Sequence, residues 1–252
     1  MRACRATELV LAVALVAAAT ELLAQRGGGP GGARASAPID LTGYWVSVVT
    51  EDWRFRMVTP PRGDYRRVPM TDEARRVADA WDPAADEAAG LACKAYGAPA
   101  IMRVPGRLHI TWGDADTLRV DTDAGMQSRL FRFDAPPASP GEPTWQGRSI
   151  ARWVRAGGRG SGRATGPAGG SLAAVTTNLR PGYLRSNGVP YSGATVLTEH
   201  FDVAPLPGGG QVLLVTTIVE DPRYLQQPFI LSSQFRKEPD GSKWDPTPCS
   251  AT

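Results

Sequence analysis

The chain has 252 residues, and its 28 Lys and Arg residues against 25 Asp and Glu give a net charge of +3. The basic residues are dispersed along the chain, which excludes the concentrated positive surface that nucleic-acid-binding proteins need. Motifs for a phosphate-binding loop, a dinucleotide site, a serine-hydrolase elbow or an H-E-x-x-H zinc site are missing. The common hydrolases, kinases and dehydrogenases are therefore disfavoured, and no cofactor is predicted.

The N-terminus has the order of segments that is typical of a secretory signal peptide. Arg2 and Arg5 precede an apolar run from Leu9 to Ala19, and small residues up to Ala24 offer a cleavage site. Cleavage after Ala19 is the alternative. The apolar run is too short to cross a bilayer. We therefore predict that residues 1–24 are a signal peptide and that the mature protein is periplasmic or secreted, with no integral membrane segment.

Two helices are predicted early in the mature chain. The clearer one spans Thr71 to Trp81, where Thr71 can cap the first turn and the acidic Asp72 and Glu73 favour the positive end of the helix dipole. A second, shorter helix is predicted from Pro83 to Ala89.

Alternation of apolar and polar residues predicts about nine or ten strands along the remaining chain. The predicted strands are 41–49, 108–112, 117–121, 129–133, 145–154, 172–179, 194–203, 211–220 and 229–236. Arg54 to Val58 is predicted to continue the sheet after a break. Residues 155–170 are rich in Gly, Ala and Arg and are predicted to form a surface loop.

These elements predict a mainly β fold. Residues 25–38 are predicted to be a flexible Gly/Ala/Pro linker, and residues 39–252 a single domain. Short gaps between strands favour antiparallel neighbours, and a closed barrel hides its edges and can hold a small ligand. We predict an antiparallel barrel of about 8–10 strands with one or two short helices near its start. A two-sheet sandwich is the alternative.

The mature chain would keep two of the three cysteines, because Cys4 leaves with the signal peptide. In an exported protein, Cys93 and Cys249 are predicted to form a disulfide. No Cys/His cluster with metal-ligand spacing is present, and no metal site is predicted. The alternative is a site that joins the two histidines, His109 and His200, to a carboxylate.

One candidate site lies on the strands after residue 170. If the polar faces of these strands align, the barrel interior would hold Thr176, Asn178, Thr198, His200, Thr216 and Glu220. A histidine beside a carboxylate suits proton transfer, so His200 with Glu199, Glu220 or Asp221 is the candidate catalytic group. The alternative is that the threonines and His200 face solvent.

A second candidate site consists of loop residues at strand ends. If the turns gather at one barrel mouth, an acidic and aromatic rim with an arginine would be formed by Glu51, Asp52, Asp64, Tyr65, Arg185, Asn187, Asp221 and Tyr224. The alternative for the Asn187–Gly188 and Asp221–Pro222 pairs is ordinary turn formation.

Gly43-Tyr44-Trp45 resembles the G-x-W motif of the first strand of lipocalins and related calycins. The resemblance implies a lipocalin-like barrel in which this tryptophan closes one end and packs on a late basic residue, here expected to be Arg236. A C-terminal cysteine that bridges back to the body is also lipocalin-like. The T-D-Y motif is absent, and the insertion from Arg54 to Ala98 is atypical of that family.

The mature chain also resembles a family of uncharacterised exported bacterial proteins over most of its length. The stretches that carry this resemblance are Asp40–Trp45, Gly63–Tyr65, Ala78–Asp82, Thr144–Gly147, Arg185–Pro190, Thr198–Phe201 and Val219–Leu225. The resemblance implies an exported domain and adds no activity.

Three functions follow as hypotheses. The first is an exported barrel that binds a small, largely apolar molecule in its interior, with Trp and Phe walls and a few orienting polar groups. The second is a cofactor-independent lyase, hydratase or isomerase on the same barrel. The third is a structural or interaction domain of the cell envelope.

Overall fold

A computed structural model describes residues 31–134, 141–155 and 169–251 of the chain. The predicted signal peptide and most of the predicted loop at 155–170 lie outside the described residues. The strands are β1 Gly43–Val48, β2 Arg107–Trp112, β3 Thr117–Thr122, β4 Ser128–Arg132, β5 Arg148–Arg155, β6 Gly170–Thr177, β7 Gly182–Arg185, β8 Val189–Tyr191, β9 Val196–Pro205, β10 Gln211–Glu220 and β11 Phe229–Lys237. The helices are α1 Gly32–Ala35, α2 Trp53–Arg56, α3 Asp72–Asp79, α4 Pro83–Ala88 and α5 Ala98–Ile101, with a 3-10 helix at Ala92–Tyr96.

Within the described ranges, nine strands close into a barrel in the order β1-β11-β10-β9-β6-β5-β4-β3-β2. Neighbouring strands are antiparallel except β4 and β5, which pair in parallel through Phe131 and Ser149. The first and last strands pair with each other and close the barrel. The predicted antiparallel barrel is confirmed, and the sandwich alternative is wrong.

The alternation in β9 and β10 determines which side chains enter the barrel. Every second residue of β10 from Leu213 to Val219 is buried, and the residues between are more exposed. The interior is filled by large side chains that are almost inaccessible to solvent, notably Trp45, Phe131, Phe201 and Phe235. Side chains therefore occupy the space that a barrel of this size encloses.

Trp45 packs at the end of the barrel where β1 begins. Its ring is fully buried, and its Nε1 donates a hydrogen bond of 2.9 Å to the carbonyl of Leu41. The Nζ of Lys237 lies 4.4 Å from the centre of the Trp45 ring. The lipocalin resemblance pointed to Arg236, and this expectation is wrong. Lys237 is the direct cross-strand partner of Trp45, so Arg236 next to it points to the opposite, exposed face.

The segment before β1 packs against the same end of the barrel. Ala33, in α1, is only 3% exposed. Its N–H donates to Asp116, and its carbonyl accepts a hydrogen bond of 2.8 Å from Nε1 of Trp153. Barrel side chains therefore hold the backbone of Ala33, and the flexible linker predicted for 25–38 stays a prediction.

The opposite end of the barrel is covered by residues 49–106, between β1 and β2, and residues 178–195, between β6 and β9. We call these two segments the capping layer. Barrel residues such as Leu197 and Val219 share an apolar cluster with Ala74 of α3 and Leu184 of β7. The capping layer thus provides the apolar cover that this end of the barrel requires.

The two predicted helices are present in the capping layer as α3 and α4. Thr71 accepts a hydrogen bond from the N–H of Ala74, and Asp82 accepts one from the N–H of Ala85, as N-cap residues do. The predicted strand at Arg54–Val58 is wrong. Asp52 has a left-handed φ of 50°, and this turns the chain into α2 instead of continuing the sheet.

The β7–β8 hairpin is not among the predicted strands. The sequence predicts only the Asn187–Gly188 turn that joins them. Gly188 has a φ of 84°, and a Cβ at this position would lie 2.3 Å from the Cβ of Trp81. Only glycine therefore allows both the turn and the close approach of the hairpin to Trp81.

The predicted disulfide joins Cys93 and Cys249, which are 156 positions apart in sequence. It ties the C-terminal segment to the 3-10 helix of the capping layer. We expect the double variant Cys93→Ala/Cys249→Ala to lose about 2–5 kcal/mol of unfolding free energy, because the unfolded chain gains the freedom of a long loop. Urea denaturation of the oxidised protein and the variant measures this. Equal midpoints and slopes would contradict the expectation.

Candidate functional site

The barrel interior contains a polar layer around a buried ion pair. The side chains of Arg129 and Glu199 are fully buried. Nη1 of Arg129 donates to Oε1 of Glu199 at 3.0 Å, and Nη2 donates to Oε2 at 2.5 Å. Nearby, the hydroxyls of Ser149 and Thr176 share a hydrogen bond of 2.7 Å.

Aromatic rings enclose this polar layer. The guanidinium of Arg129 lies 4.7 Å from the ring centre of Phe131, which packs edge-on against Phe201 at 5.3 Å. The charged groups of the layer pair with each other across the barrel, and Nε of Arg129 has no hydrogen-bond partner among the described residues. A buried, paired arrangement of this kind specifies how the barrel packs.

The residues predicted to line the interior divide between the two faces of the sheet. Thr176 is buried inside, but Thr198, His200, Thr216 and Glu220 lie on the outward face or at its edge. The inward residues of β9 include Leu197, Glu199 and Phe201. The alternative in which Thr198, His200 and Thr216 face outward therefore applies. A buried Glu199 is acceptable because its partner, Arg129, lies seventy residues away in β4.

The structure does not assemble the predicted catalytic group. His200 and Glu199 are consecutive residues of β9, so their side chains project to opposite faces. Asp221 is occupied instead with holding a turn, since it accepts hydrogen bonds from Ser192, Thr195 and the N–H groups of Arg223 and Tyr224. Burial raises the pKa of Asp221, but these hydrogen bonds lower it below its ordinary value overall.

Asn178 lies just past the end of β6. It has a left-handed φ of 56°, and its Nδ2 donates to the carbonyl of Gly141 at 3.2 Å. The side chain therefore connects two loops and does not enter the barrel interior.

The predicted loop residues come together in and beside the capping layer. Nδ2 of Asn187 donates to the carbonyl of Asp64 at 3.1 Å, and Nη1 of Arg185 donates to the carbonyl of Arg66 at 2.9 Å. The hydroxyl of Tyr65 donates to Asp79 at 2.8 Å. Tyr224 is buried in the same apolar cluster as Tyr65.

A pocket of about 160 Å³ lies in the capping layer. Phe55, Tyr96 and Leu184 contribute apolar walls, and Arg56, Arg103 and Arg185 contribute guanidinium groups. The walls come from α2, from the 3-10 helix, from β7 and from the C-terminal segment that the disulfide holds. Four separate parts of the chain therefore build one site.

The three arginines are buried although they carry charge. Arg56 is 9% exposed, Arg103 is 7% and Arg185 is 3%. Nε of Arg56 donates to the carbonyl of Arg103 at 2.8 Å, and both Nη atoms of Arg103 lie 3.4 Å from Oδ2 of Asp52. The guanidinium of Arg185 lies 4.3 Å from the ring centre of Phe55.

Several polar atoms of this cluster have no hydrogen-bond partner among the described residues. They are Nη1 and Nη2 of Arg56, Nε and Nη2 of Arg185, and Oε1 of Glu51. Buried donors without partners are uncommon in folded proteins, because each one costs free energy. Four of these five atoms belong to Arg56 and Arg185, two of the residues that line the pocket, which makes the pocket the candidate site.

Burial and mutual repulsion destabilise the charged state of these arginines. Burial and the charge of Arg103 lower the pKa of Arg185 to about 10. The same two causes lower the pKa of Arg56. Burial also lowers the pKa of Arg103, although the Asp52 carboxylate opposes this shift. The nearby carboxylates of Glu51, Asp52 and Asp64 oppose these pKa shifts only in part.

Backbone strain accompanies the cluster. Asp52 and Arg67 both have left-handed φ values, of 50° and 70°, and their side chains form an ion pair. Asp52 also faces Arg103. Strained residues often occur at functional sites, where the surrounding contacts hold them in place.

Sequence reasoning included Arg185, Asp52, Asp64 and Tyr65 in a loop site but missed Arg56 and Arg103. The alternation of Trp53-Arg54-Phe55-Arg56 resembles a strand with solvated arginines, and no spacing rule distinguishes a buried arginine from an exposed one. Only the packing of α2 against β7 shows the difference.

The two histidines do not form a metal site with nearby carboxylates among the described residues. Among the described residues, no group of three His, Cys, Asp or Glu side chains has the geometry to hold a metal ion. His109 stacks on Tyr44, with ring centres 4.1 Å apart. None of the helices in the described part of the chain is long and apolar enough to span a membrane.

The fold and the site together define a closed, mostly antiparallel β barrel with a polar pocket in a capping layer over one end. Comparison with protein-family models, with curated proteins and with solved structures gave no match.

Removing one partner of the interior ion pair should destabilise the fold. Glu199→Ala should lower the free energy of unfolding by about 3–5 kcal/mol, because it leaves the Arg129 guanidinium buried without a counter-charge. The double variant Arg129→Met/Glu199→Leu should recover most of this loss, since it removes both charges together. Urea denaturation followed by circular dichroism measures both.

The matched control is Glu73→Ala, which removes the exposed ion pair with Arg223. It should change the free energy of unfolding by no more than about 1 kcal/mol. A loss in Glu199→Ala as small as that in the control would contradict the structural role of the buried pair.

Arg185, which lines the pocket, should make the stability of the fold depend on pH. A pKa lowered to about 10 means that the folded protein penalises charged Arg185, by about 3 kcal/mol at neutral pH. Arg185→Met removes this penalty but also the contact with Phe55 and the hydrogen bond to Arg66, each worth about 1 kcal/mol. We therefore expect the variant to be more stable than the parent by about 1 kcal/mol at pH 8.

The pH dependence has a definite sign. Because the pKa of Arg185 is lower in the folded state, the folded parent releases this proton at a lower pH than the unfolded chain does. The stability advantage of Arg185→Met should therefore narrow as the pH rises above about 10. Melting temperatures at pH 8, 10 and 11 test this. A variant that is less stable than the parent at pH 8 would contradict a strained Arg185.

Proposed function

We propose that the protein is an exported binding protein that holds a small molecule in the pocket of the capping layer. The signal-peptide pattern of residues 1–24 and the Cys93–Cys249 disulfide support export, because disulfides persist in oxidising compartments. The location of the site differs from the barrel interior that the sequence suggested.

One observation carries this proposal. The barrel interior is filled by large side chains and a sealed ion pair, whereas a pocket with both apolar walls and polar groups lies over one barrel end. Small-molecule sites combine such walls with a few orienting polar groups. The pocket also favours a binding protein over an envelope domain without a ligand.

The dimensions of the pocket restrict the ligand. A volume of about 160 Å³ resembles that of cavities that hold a single benzene-sized ring. Phe55, Tyr96 and Leu184 can contact such a ring. Met57 and Val58 are exposed and also line the pocket, so they form an apolar rim at its mouth.

The residues predicted for acid–base catalysis lie apart. His200 and Glu199 project to opposite faces of β9, and Asp221 is held in a turn. Nothing in this arrangement favours a reaction over binding.

A pocket-filling variant tests the proposal. Ala95 lines the pocket, and Ala95→Trp should abolish the saturation-transfer NMR signals of single-ring compounds that bind the parent, because the indole occupies their space. Ala84→Trp is the matched control, since Ala84 is exposed on α4 away from the pocket. We expect the control to bind as the parent does.

Two results would contradict the proposal. One is that no single-ring compound, charged or neutral, binds the parent at millimolar concentration. The other is that compounds bind the parent and Ala95→Trp equally, which would place their site elsewhere.

A further inference from the structure

The free hydrogen-bond donors of the pocket form two forks. Nε of Arg56 is occupied by the carbonyl of Arg103, which leaves the two Nη atoms at its end without a partner on the described chain. Nη1 of Arg185 is occupied by the carbonyl of Arg66, which leaves Nε and Nη2 along its side without one. Each arginine thus has a pair of adjacent donors without a protein partner. These nitrogens are buried behind the pocket surface, and a ligand reaches them when the guanidinium turns toward the pocket.

Nearby carboxylates do not fill these forks. Asp52 is engaged by Arg67 and Arg103, and neither Arg56 nor Arg185 has a carboxylate oxygen within 4.0 Å among the described residues. Glu51 acts on Arg56 and Arg103 at longer range, and its Oε1 also lacks a hydrogen-bond partner on the described chain. The protein therefore places more positive charge at the pocket than it neutralises there.

Resting on the proposed function, we propose that the pocket binds a small organic anion, a single-ring or short-chain carboxylate, with Arg56 and Arg185 holding its carboxylate. The planar guanidinium matches the two oxygens of a carboxylate through paired N–H donors. The apolar part of the ligand lies against Phe55, Tyr96 and Leu184.

The chemistry of the pocket favours this class over its neighbours. A neutral ring would leave the buried donors without partners, which costs free energy. A monatomic anion offers one acceptor atom for two forks. A bare polyatomic anion would satisfy the donors but would leave the apolar walls uncovered. A carboxylate on an apolar body satisfies both halves of the pocket.

Calorimetric titration with benzoate and with its neutral analogue benzyl alcohol tests the proposal on the disulfide-bonded protein. Benzoate should bind the parent at least about tenfold more tightly than benzyl alcohol, because a charged ligand can use both forks. Arg56→Met and Arg185→Met should each weaken benzoate binding at least about tenfold and leave benzyl alcohol binding within about twofold. Arg236→Met, on the outer face of β11, is the matched control and should change neither.

Arg185→Lys distinguishes recognition of the carboxylate by paired N–H donors from simple attraction between opposite charges. Lysine keeps the charge but not the paired donors, so benzoate should bind this variant several-fold more weakly than the parent. Circular dichroism verifies the folding of each variant, and Arg56→Met provides an independent reading if an Arg185 variant does not fold.

The outcomes distinguish this inference from the proposed function. If benzyl alcohol binds as tightly as benzoate and Ala95→Trp abolishes both, the pocket binds small molecules but the anion class is wrong. If inorganic phosphate binds more tightly than benzoate, the organic part of the inference is wrong. If benzoate binding is unchanged in both arginine variants, the assignment of Arg56 and Arg185 is wrong. If neither ring compound binds the parent, both proposals fail.

Discussion

Closure of the sheet between β1 and β11 is the constraint on which the rest of the structure depends. A closed nine-strand barrel encloses a volume that side chains or a ligand must fill. Here Trp45, Phe131, Phe201 and Phe235 fill it, together with the buried ion pair of Arg129 and Glu199. Closure therefore provides a rigid support and leaves little of the interior for binding.

A closed barrel that is filled still has ends to cover, and the capping layer covers one of them. Its apolar residues pack on Leu197, Val219 and Phe229, and Arg56, Arg103 and Arg185 line its pocket. These arginines are buried, and the pKa of all three is lowered, first by burial and, for Arg56 and Arg185, also by repulsion from the charge of Arg103. An anion that binds between them would offset this repulsion, so stability and binding are coupled through the same charges.

Sequence patterns predicted the regular elements far better than the site. Strict alternation gave β10 its observed bounds, 211–220, and the cap at Thr71 predicted α3. Alternation left the inward face of β9 open between two orientations, because a buried Glu199 depends on Arg129 in β4. Likewise, a one-residue difference in register decides between Arg236 and Lys237 as the partner of Trp45. The pocket joins four segments that are distant in sequence, and burial of an arginine leaves no local signature.

We propose that the arginines of the capping layer, and not the barrel interior, hold the ligand. Crystals of the protein soaked in 4-bromobenzoate test it directly, because anomalous scattering locates the bromine without ambiguity. We expect one anomalous peak in the pocket among Phe55, Tyr96 and Leu184, with the carboxylate density between Arg56 and Arg185. Two results would contradict binding by these arginines. One is a bromine peak inside the barrel beside Phe131 and Phe201, and the other is a pocket without ligand density at saturating concentration.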